Sequence, residues 1–476
     1  MSAERTPSGA AKVIPIQEVE QALYEVRKKI YPRAVHGTFA AWRWAFVWLT
    51  QLIFYGLCWL PWNDRQAVLF DLVHRKFYIF GWVFWPQDVF YLAIILIISA
   101  LSLFLFTTVA GRLWCGYACP QTVYTEMFLW VERLVEGDRA KRMKLDGVPM
   151  SARKLGLKTA KHTIWIAMAL WTGFTFVGYF TPIRELAAEV VTASLGPWET
   201  FWILFYGFAT YGNAGFMREQ VCKYMCPYAR FQGVMFDPDT LVITYDRERG
   251  EPRGARGRKT DHRAAGLGDC VDCEICVQVC PTGIDIRNGL QYECIGCAAC
   301  IDACDQVMDK MGYARGLIRY STENALRSHW GRADILRHIA RPRVIVYTVF
   351  LMAIVVALMW GLAVRVPLKV NVMRDRAALA REVENEQIEN VFRLQVMNTT
   401  EAGRRYRVSV EGMPEISIAS EPLIEVGPAG SHQVAVRVRA PRGAGRSGAN
   451  TIWFVVRAED DQRVVVREKA SFLVIR

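Results

Sequence analysis

The chain has 476 residues, of which 52% are hydrophobic, with 16 Trp and 24 Phe. That is more apolar and aromatic than ordinary globular usage, it leaves room for more than one domain, and it points to a membrane protein. The formal charge of +12 is then accounted for by membrane topology before nucleic acid, so no nucleic-acid partner is expected.

Residues 1–40 read as a cytoplasmic N-terminal arm, polar and basic, with a short amphipathic helix expected around residues 16–30. No apolar h-region is present there, so no cleaved signal peptide is read. A membrane domain is expected over residues 41–236. Its first span, residues 44–60, is stopped by Pro61 and bracketed by tryptophans that suit the membrane interface. Cys58, near its far end, reads as a small core residue. Residues 61–88, including FYIFGWVFW, suit interfacial packing, and His74 reads as a solvated loop histidine. The second span, residues 90–109, runs into GRLWCGYACPQ, then an amphipathic stretch and a basic segment. The third covers residues 163–180. The fourth, residues 198–216, is less apolar because of Asn213 and runs into MREQVCKYMCPYARFQ.

Residues 237–262 read as a flexible basic linker, 263–320 as a ferredoxin domain and 321–343 as a cytoplasmic connector. The fifth span is residues 344–362, within a segment that ends at 366. Beyond it, a charged helix-like connector (375–386) precedes alternating strands at 389–397, 404–411, 415–419, 431–439, 451–458 and 463–475. Short strands separated by Gly, Pro, Asn and Ser turns suggest an immunoglobulin-like β-sandwich over residues 367–476. The fold class is therefore a multi-domain membrane protein: five helical spans, a bacterial-type 2[4Fe–4S] ferredoxin domain and an Ig-like sandwich. Arg133, Arg139, Lys141, Arg142, Lys144, Arg153, Lys154, Lys158 and Lys161 lie between spans two and three, against only Arg184 between three and four. The positive-inside rule then makes the N-terminus and ferredoxin domain cytoplasmic and the sandwich periplasmic, in a bacterial inner membrane.

Two cysteine runs carry the clearest chemistry: Cys270, Cys273, Cys276, Cys280, then Cys294, Cys297, Cys300, Cys304. Soft thiolates with gaps of two, two and three are the bacterial ferredoxin pattern, in which each run gives its fourth cysteine to the other cluster. Cys270, Cys273, Cys276 and Cys304 are thus expected to hold one [4Fe–4S] cluster, and Cys294, Cys297, Cys300 and Cys280 the second. Pro281 follows the first run as the pattern requires, whereas Asp305 stands in the second proline's place. Zinc knuckles or a disulfide framework would not explain the repeated spacing.

CGYACP (Cys115 to Pro120) and CKYMCP (Cys222 to Pro227) repeat one pattern just past an even-numbered span. Either the cysteines share a helix face, or each proline opens a new helix with Cys119 and Cys226 at its N-terminus, where the dipole lowers a thiol pKa. Both geometries give reactive thiols, and with the Met225 thioether they make a soft site suited to Cu(I). Buried packing residues and a four-cysteine zinc site are the alternatives. None of His36, His74, His162, His262, His329, His338 and His432 lies well inside a span, so a bis-histidine haem lacks ligands.

The span order, both C-x-Y-x-C-P motifs, the run CPTGIDIRNGLQYECIGCAACIDACDQVMDKMGY and the trailing sandwich resemble the cytochrome c oxidase accessory proteins of the CcoG/FixG/RdxA type, from about Tyr31 to Arg476. Asp305 is no departure within that family. The resemblance implies a biogenesis factor for cbb3-type oxidase, a cupric reductase supplying Cu(I) to a copper-exporting P-type ATPase and the oxidase assembly machinery. Copper would be reduced at or near Cys115, Cys119, Cys222 and Cys226, with electrons relayed by two [4Fe–4S] clusters from an unnamed donor. A quinol-oxidising electron-transfer subunit and a non-redox assembly scaffold are the alternatives; a homodimer is one option for its assembly state.

Overall fold

The computed structural model describes residues 29–475 apart from 259, 376–379 and 385. The helix expected over residues 16–30 lies almost wholly outside that range. Helix α1 (Thr38–Gly56) is followed by five short strands, β1 (Pro61–Trp62), β2 (Arg65–Gln66), β3 (Val68–Asp71), β4 (Lys76–Ile79) and β5 (Trp82–Phe84). β1 pairs with β2, and β3, β4 and β5 form an antiparallel meander, so the aromatic stretch is sheet. Next come α2 (Val89–Ala110), α3 (Leu113–Tyr117), α4 (Pro120–Glu136), α5 (Arg139–Gly147), α6 (Ala152–Val177), α7 (Ile183–Thr192) and α8 (Pro197–Thr210). α8 runs on as a π-helix, Tyr211–Met217, and a second π-helical turn, Val221–Met225, precedes α9 (Pro227–Met235).

Helices stand at all five places where spans were expected, but two alone among the described residues are long and apolar enough to cross a membrane. They are Pro86–Ala110 and Pro342–Ala363, with mean hydropathy 2.8 and 2.5. The others fall short for visible reasons. α1 buries Arg43 and Gln51, and α6 opens on Arg153, Lys154, Lys158 and Lys161. α8 has only 14 residues before its hydrogen-bond ladder changes. The two apolar helices pack antiparallel: the Tyr91 hydroxyl donates to the Gly361 carbonyl (3.0 Å) near one end, and Arg341 donates to the Thr108 carbonyl (2.7 Å) near the other.

The cysteine-rich unit sits at one end of the bundle, built from β6 (Val242–Tyr245), α10 (Arg247–Gly250), α11 (Ile275–Gln278), α12 (Ala299–Met311) and β7 (Ile318–Ser321); β6 and β7 pair antiparallel. Its docking is specific. The Asp302 carboxylate of α12 accepts from the backbone N–H groups of Phe39 (3.2 Å) and Ala40 (2.7 Å), capping α1 from outside where its first N–H groups lack partners. The segment expected as a flexible linker is ordered against this unit. Arg249 bonds Asp269 and the Arg315 carbonyl, and Arg256 reaches the carbonyls of Gly254, Gly268 and Cys270. Guanidinium donors satisfying loop carbonyls are what turn a solvated linker into part of the wall.

α13 (Glu323–Arg327) and α14 (Arg332–Ile339) lead to α15 (Pro342–Ala363) and then to the sandwich. Its strands are β8 (Leu368–Arg374), β9 (Arg381–Val383), β10 (Gln387–Asn398), β11 (Arg404–Glu411), β12 (Ser417–Ile418), β13 (Leu423–Val426), β14 (Ser431–Pro441), β15 (Gly448–Ala458) and β16 (Val465–Val474). One sheet has the order β12-β14-β10-β8 with β9 on β10; the other is β13-β11-β15-β16. Phe392, Leu394, Tyr406, Phe454 and Phe472 fill the space between them. The described part of the expected helix-like connector is strand instead: β9 is held to β10 by Arg381 on the buried Glu389, which also accepts from Arg439 at 2.6 Å. The sandwich is tied to the bundle by Asp88, buried between Arg365 (2.6 Å) and Lys369 (3.1 Å), and by Glu401 on Arg65.

Candidate redox site

The two cysteine runs fold alike. Asp272 and Glu274 in the first run, and Gly296 and Ala298 in the second, have positive φ (52°, 55°, 70° and 57°), at the same offsets from Cys270 and Cys294. Left-handed backbone at non-glycine residues is uncommon, and its repetition turns three cysteines of each run inward. Cys270, Cys273, Cys276 and Cys304 line one small cavity, walled by Tyr245, Met308 and Leu317. Cys280, Cys294, Cys297 and Cys300 line a second, walled by Ile243, Ile284 and Ile295, and Cys276 touches both.

Burial pushes the Cys276, Cys294 and Cys304 thiols up to about 12. Burial there favours the neutral thiol, and a cationic metal is what would make the thiolate favourable. Among the described residues no three His, Cys, Asp or Glu side chains converge on a single-ion site. A four-iron cube spreads its ligands wider than one ion does, so four sulfur donors around each small apolar cavity fit [4Fe–4S] clusters.

Both C-x-Y-x-C-P motifs touch the Tyr292–Cys297 segment of the second run, the first through Gly116 and the second through Lys223. Of the two geometries open from sequence, the chain adopts the helix start: Cys119 and Cys226 are N-caps, with Pro120 and Pro227 opening α4 and α9. Cys115 sits in α3 and Cys222 in the second π-helical turn. The four sulfurs form one electrostatic group: Cys222 feels Cys119, Cys115 and Cys226, and Cys119 feels Cys226. At Cys119 the expected lowering of thiol pKa is not found. Burial pushes Cys115 up to about 11 and Cys222 to about 12. It also raises Cys119, although the Gln121 and Thr122 backbone N–H groups pull the other way. Desolvation outweighs the helix terminus at Cys119, so Cys115, Cys119 and Cys222 are protonated thiols until a cation arrives. Met225 is 54% exposed, unlike the half-buried cysteines beside it.

Four residues that sequence reasoning missed organise this contact. Gly116 is the first: a Cβ there would stand 2.8 Å from the Cys297 backbone nitrogen and Cα, so only glycine lets the first motif lie directly on the Cys297 loop. Arg112 is buried; it donates to the Ala229 carbonyl (2.6 Å) and to the Tyr292 carbonyl, and its charge acts on Cys115, Cys222 and Cys294 together. Arg43 of α1 donates to the Cys297 carbonyl at 2.6 Å. Gln232, fully buried, brings its amide nitrogen to 3.4 Å from the Cys115 sulfur. The second motif is joined too, since the Tyr292 hydroxyl donates to the Lys223 carbonyl at 3.0 Å. An arginine shortly before each motif, Arg112 and Arg218, was the available signal.

Elsewhere, Cys58 is buried with its thiol on the Tyr55 carbonyl, and exposed His74 pairs with Asp71 at 2.7 Å. His162 lies in α6, bonded to the Tyr211 hydroxyl at 2.9 Å.

Comparison with known proteins follows the same divisions. A family model described as "4Fe-4S dicluster domain" matches residues 217–323, one described as "4Fe-4S binding domain" matches 92–137, and the "IG-like fold at C-terminal of FixG" matches 358–474. The nitrogen fixation protein FixG of Rhizobium meliloti is 41% identical over 435 residues, covering 85% of this chain and 83% of the relative. Proteins RdxB and RdxA of Cereibacter sphaeroides are 39% and 38% identical, covering 84% and 90% of this chain and 85% and 92% of their own lengths.

Proposed function

The chain belongs to the FixG/RdxA family of iron–sulfur membrane proteins, and from that premise we propose that this oxidoreductase reduces Cu(II) to Cu(I) at Cys115, Cys119, Cys222 and Cys226. The observation that carries the reading is the close packing of Gly116 on the Cys297 loop, with Arg112 shared between the sulfur quartet and Cys294. Bound to the two ferredoxin-type cysteine sets, [4Fe–4S] clusters would supply one-electron storage and transfer. The quartet offers four half-buried soft donors. Cu(II) arriving there displaces thiol protons, takes up one electron and leaves as Cu(I), the state that sulfur ligands favour. Gln232 orients Cys115, and Arg112 offsets the negative charge that builds up on deprotonation.

The membrane arrangement belongs to the same proposal. Five helices span, the redox unit is cytoplasmic and the sandwich periplasmic, in a bacterial inner membrane. Exposed Trp48, Leu49 and Leu52 on α1, Ile166 and Trp171 on α6, and Phe205 and Phe208 on α8 support lipid contact beyond the two most apolar helices. The recipients of Cu(I) on this reading are a copper-exporting P-type ATPase and the assembly machinery of cbb3 oxidase.

Anaerobically purified protein, reduced with dithionite and freed of excess, should convert Cu(II) to Cu(I), one copper per stored electron, in the presence of a Cu(I) chelator. The variant with all four quartet cysteines changed to alanine should not; equal rates sink the reading. A second reading is favoured by the 4Fe-4S family model over residues 92–137. That stretch has only Cys115 and Cys119, and Cys222 and Cys226 complete a set of four, so the quartet would hold a third cluster. Iron analysis separates the two, since the quadruple variant loses iron only on the second.

A further inference from the structure

A cavity of about 1000 Å³ extends well beyond the sulfur quartet, which it meets only at Cys222. It runs beside α1, from Gly37 to Gly56, a length of about 28 Å at the rise of an α-helix. Apolar side chains, among them Trp44 and Trp130, make most of its wall, and its volume is at the upper end of what small-molecule sites occupy. Its polar groups are few and placed. Gln51 is 9% exposed, and its Oε1 has no hydrogen-bond partner among the described residues. Glu126 lines the cavity, paired with Arg133 at 2.9 Å. Two sulfur residues also reach the wall, Cys222 from the quartet and Cys297 from the second ferredoxin-type set.

We infer that this cavity binds a membrane quinol, an amphipathic two-electron carrier with a redox-active head and an apolar tail, and that it is where electrons enter the protein. An elongated apolar slot beside a bundle helix suits the tail, and the orphaned Gln51 carbonyl accepts from a quinol hydroxyl that a lipid chain lacks. A buried acceptor left without a donor is costly, so its occupant brings one. Oxidation of one quinol to quinone breaks two O–H bonds and releases two protons and two electrons. The Glu126 carboxylate takes one proton and water at the mouth of the cavity the other. The two electrons leave past Cys297 and reduce two Cu(II) to two Cu(I). Only that last acceptor rests on the copper reading.

The test uses the full chain in phosphatidylethanolamine/phosphatidylglycerol nanodiscs with a photoactivatable azidoquinone. Cross-links should map to residues 44–55 and 121–133 and be competed by decylubiquinol. Gln51→Leu, near in shape but without the acceptor, should weaken competition about fivefold to tenfold, and Thr125→Trp should block labelling by filling the cavity. Labelling elsewhere, or labelling that phospholipid competes and decylubiquinol does not, overturns the inference. Failure of the two readings is distinguishable. Dithionite-driven Cu(II) reduction without any electron paramagnetic resonance change on adding decylubiquinol sinks the quinol site alone. Decylubiquinol that reduces the protein while Cu(II) stays oxidised sinks the copper reading alone.

Discussion

Replacing Gly116 by alanine tests the contact on which the electron path depends. A methyl group there would lie 2.8 Å from the Cys297 backbone nitrogen and Cα and from the Gly296 carbonyl carbon, where ordinary van der Waals contact begins at 3.4 Å. The loops must part by 3.4 − 2.8 = 0.6 Å, and both partners are backbone that cannot rotate away. Overpacking of this kind costs ~1–3 kcal/mol. If that cost falls on docking of the motif against the ferredoxin loop, the docked state loses a factor of about 5–150, at ~1.4 kcal/mol per tenfold. Hydrogen exchange at residues 292–298 should accelerate by that factor, and dithionite-driven Cu(II) reduction should slow, while iron content stays at the parental level. Gly156→Ala, in α6 with nothing within 4 Å of its added methyl, is the control and should be neutral or slightly stabilising. Parental exchange and parental rates in Gly116→Ala would mean that the two segments do not touch as described.

Three further perturbations address other parts. Cys304→Ser should abolish one reduced-cluster signal and Cys280→Ser the other, measured by electron paramagnetic resonance with iron analysis, because each lines the cavity of the opposite run; loss of the same signal in both refutes the exchange of fourth ligands. In the sandwich, burial alone would raise the Glu389 pKa, but the Arg439 and Arg381 guanidiniums win and hold it below the usual carboxylate range. Its stabilisation is therefore complete above the unfolded-state value of about 4.3 and fades as pH falls through the depressed folded value. Glu389→Gln should cost ~1.5–3 kcal/mol at neutral pH, since Arg381 and Arg439 stay solvated, and the gap between wild-type and variant melting temperatures should hold down to about pH 4.3 and narrow only below it. Glu132→Gln leaves the buried Arg142 and Arg218 without their carboxylate, while Lys161 keeps Glu136, and should destabilise by ~3–5 kcal/mol. Detergent-solubilised thermal unfolding reads it.

The parts legible in the sequence were those set by a local rule. The gaps within each cysteine run dictate the two cavities because a left-handed turn at a fixed offset needs no distant partner. Alternation in residues 389–397 and 404–411 marks strands that the sandwich core then uses. What was illegible depends on tertiary partners. Residues 381–383 lie among helix formers, and pairing with β10 through Arg381 and Glu389 overrides that propensity. β8 follows directly on an apolar helix that masks its alternation, and β13 has only four residues. The thiol pKa values went the wrong way because burial is not written in a C-x-Y-x-C-P motif, whereas a helix N-terminus is. Gly116 was in plain view within CGYACP, but its role needs the Cys297 loop to be brought opposite it.

The buried charges of α4 explain how two motifs separated by about a hundred residues come to share one site. Glu132 accepts from Arg142 of α5 (2.8 Å) and from Arg218 just ahead of the second motif (3.2 Å) and is ion-paired with Lys161 of α6 (3.6 Å), and Glu136 holds Lys158 and Lys161 at 3.0 and 2.9 Å. Burying so many charges gains little stability over apolar packing, since desolvation offsets most of the attraction. Its effect here is positional. α4 begins at Cys119 of the first motif, and Arg218 stands four residues before Cys222 of the second. A carboxylate fixed on α4 therefore sets where the second motif begins relative to the first. Apolar side chains could slide along one another by a helical turn, and an arginine shared between a buried carboxylate and a backbone carbonyl cannot do so without leaving a charge unpaired. The same helix carries Glu126 on the wall of the large cavity, so one element indexes the sulfur quartet, the cavity and the Cys297 loop against each other. On this argument, redox function survives changes to lipid-facing residues far better than any change that shifts α4 by a single turn.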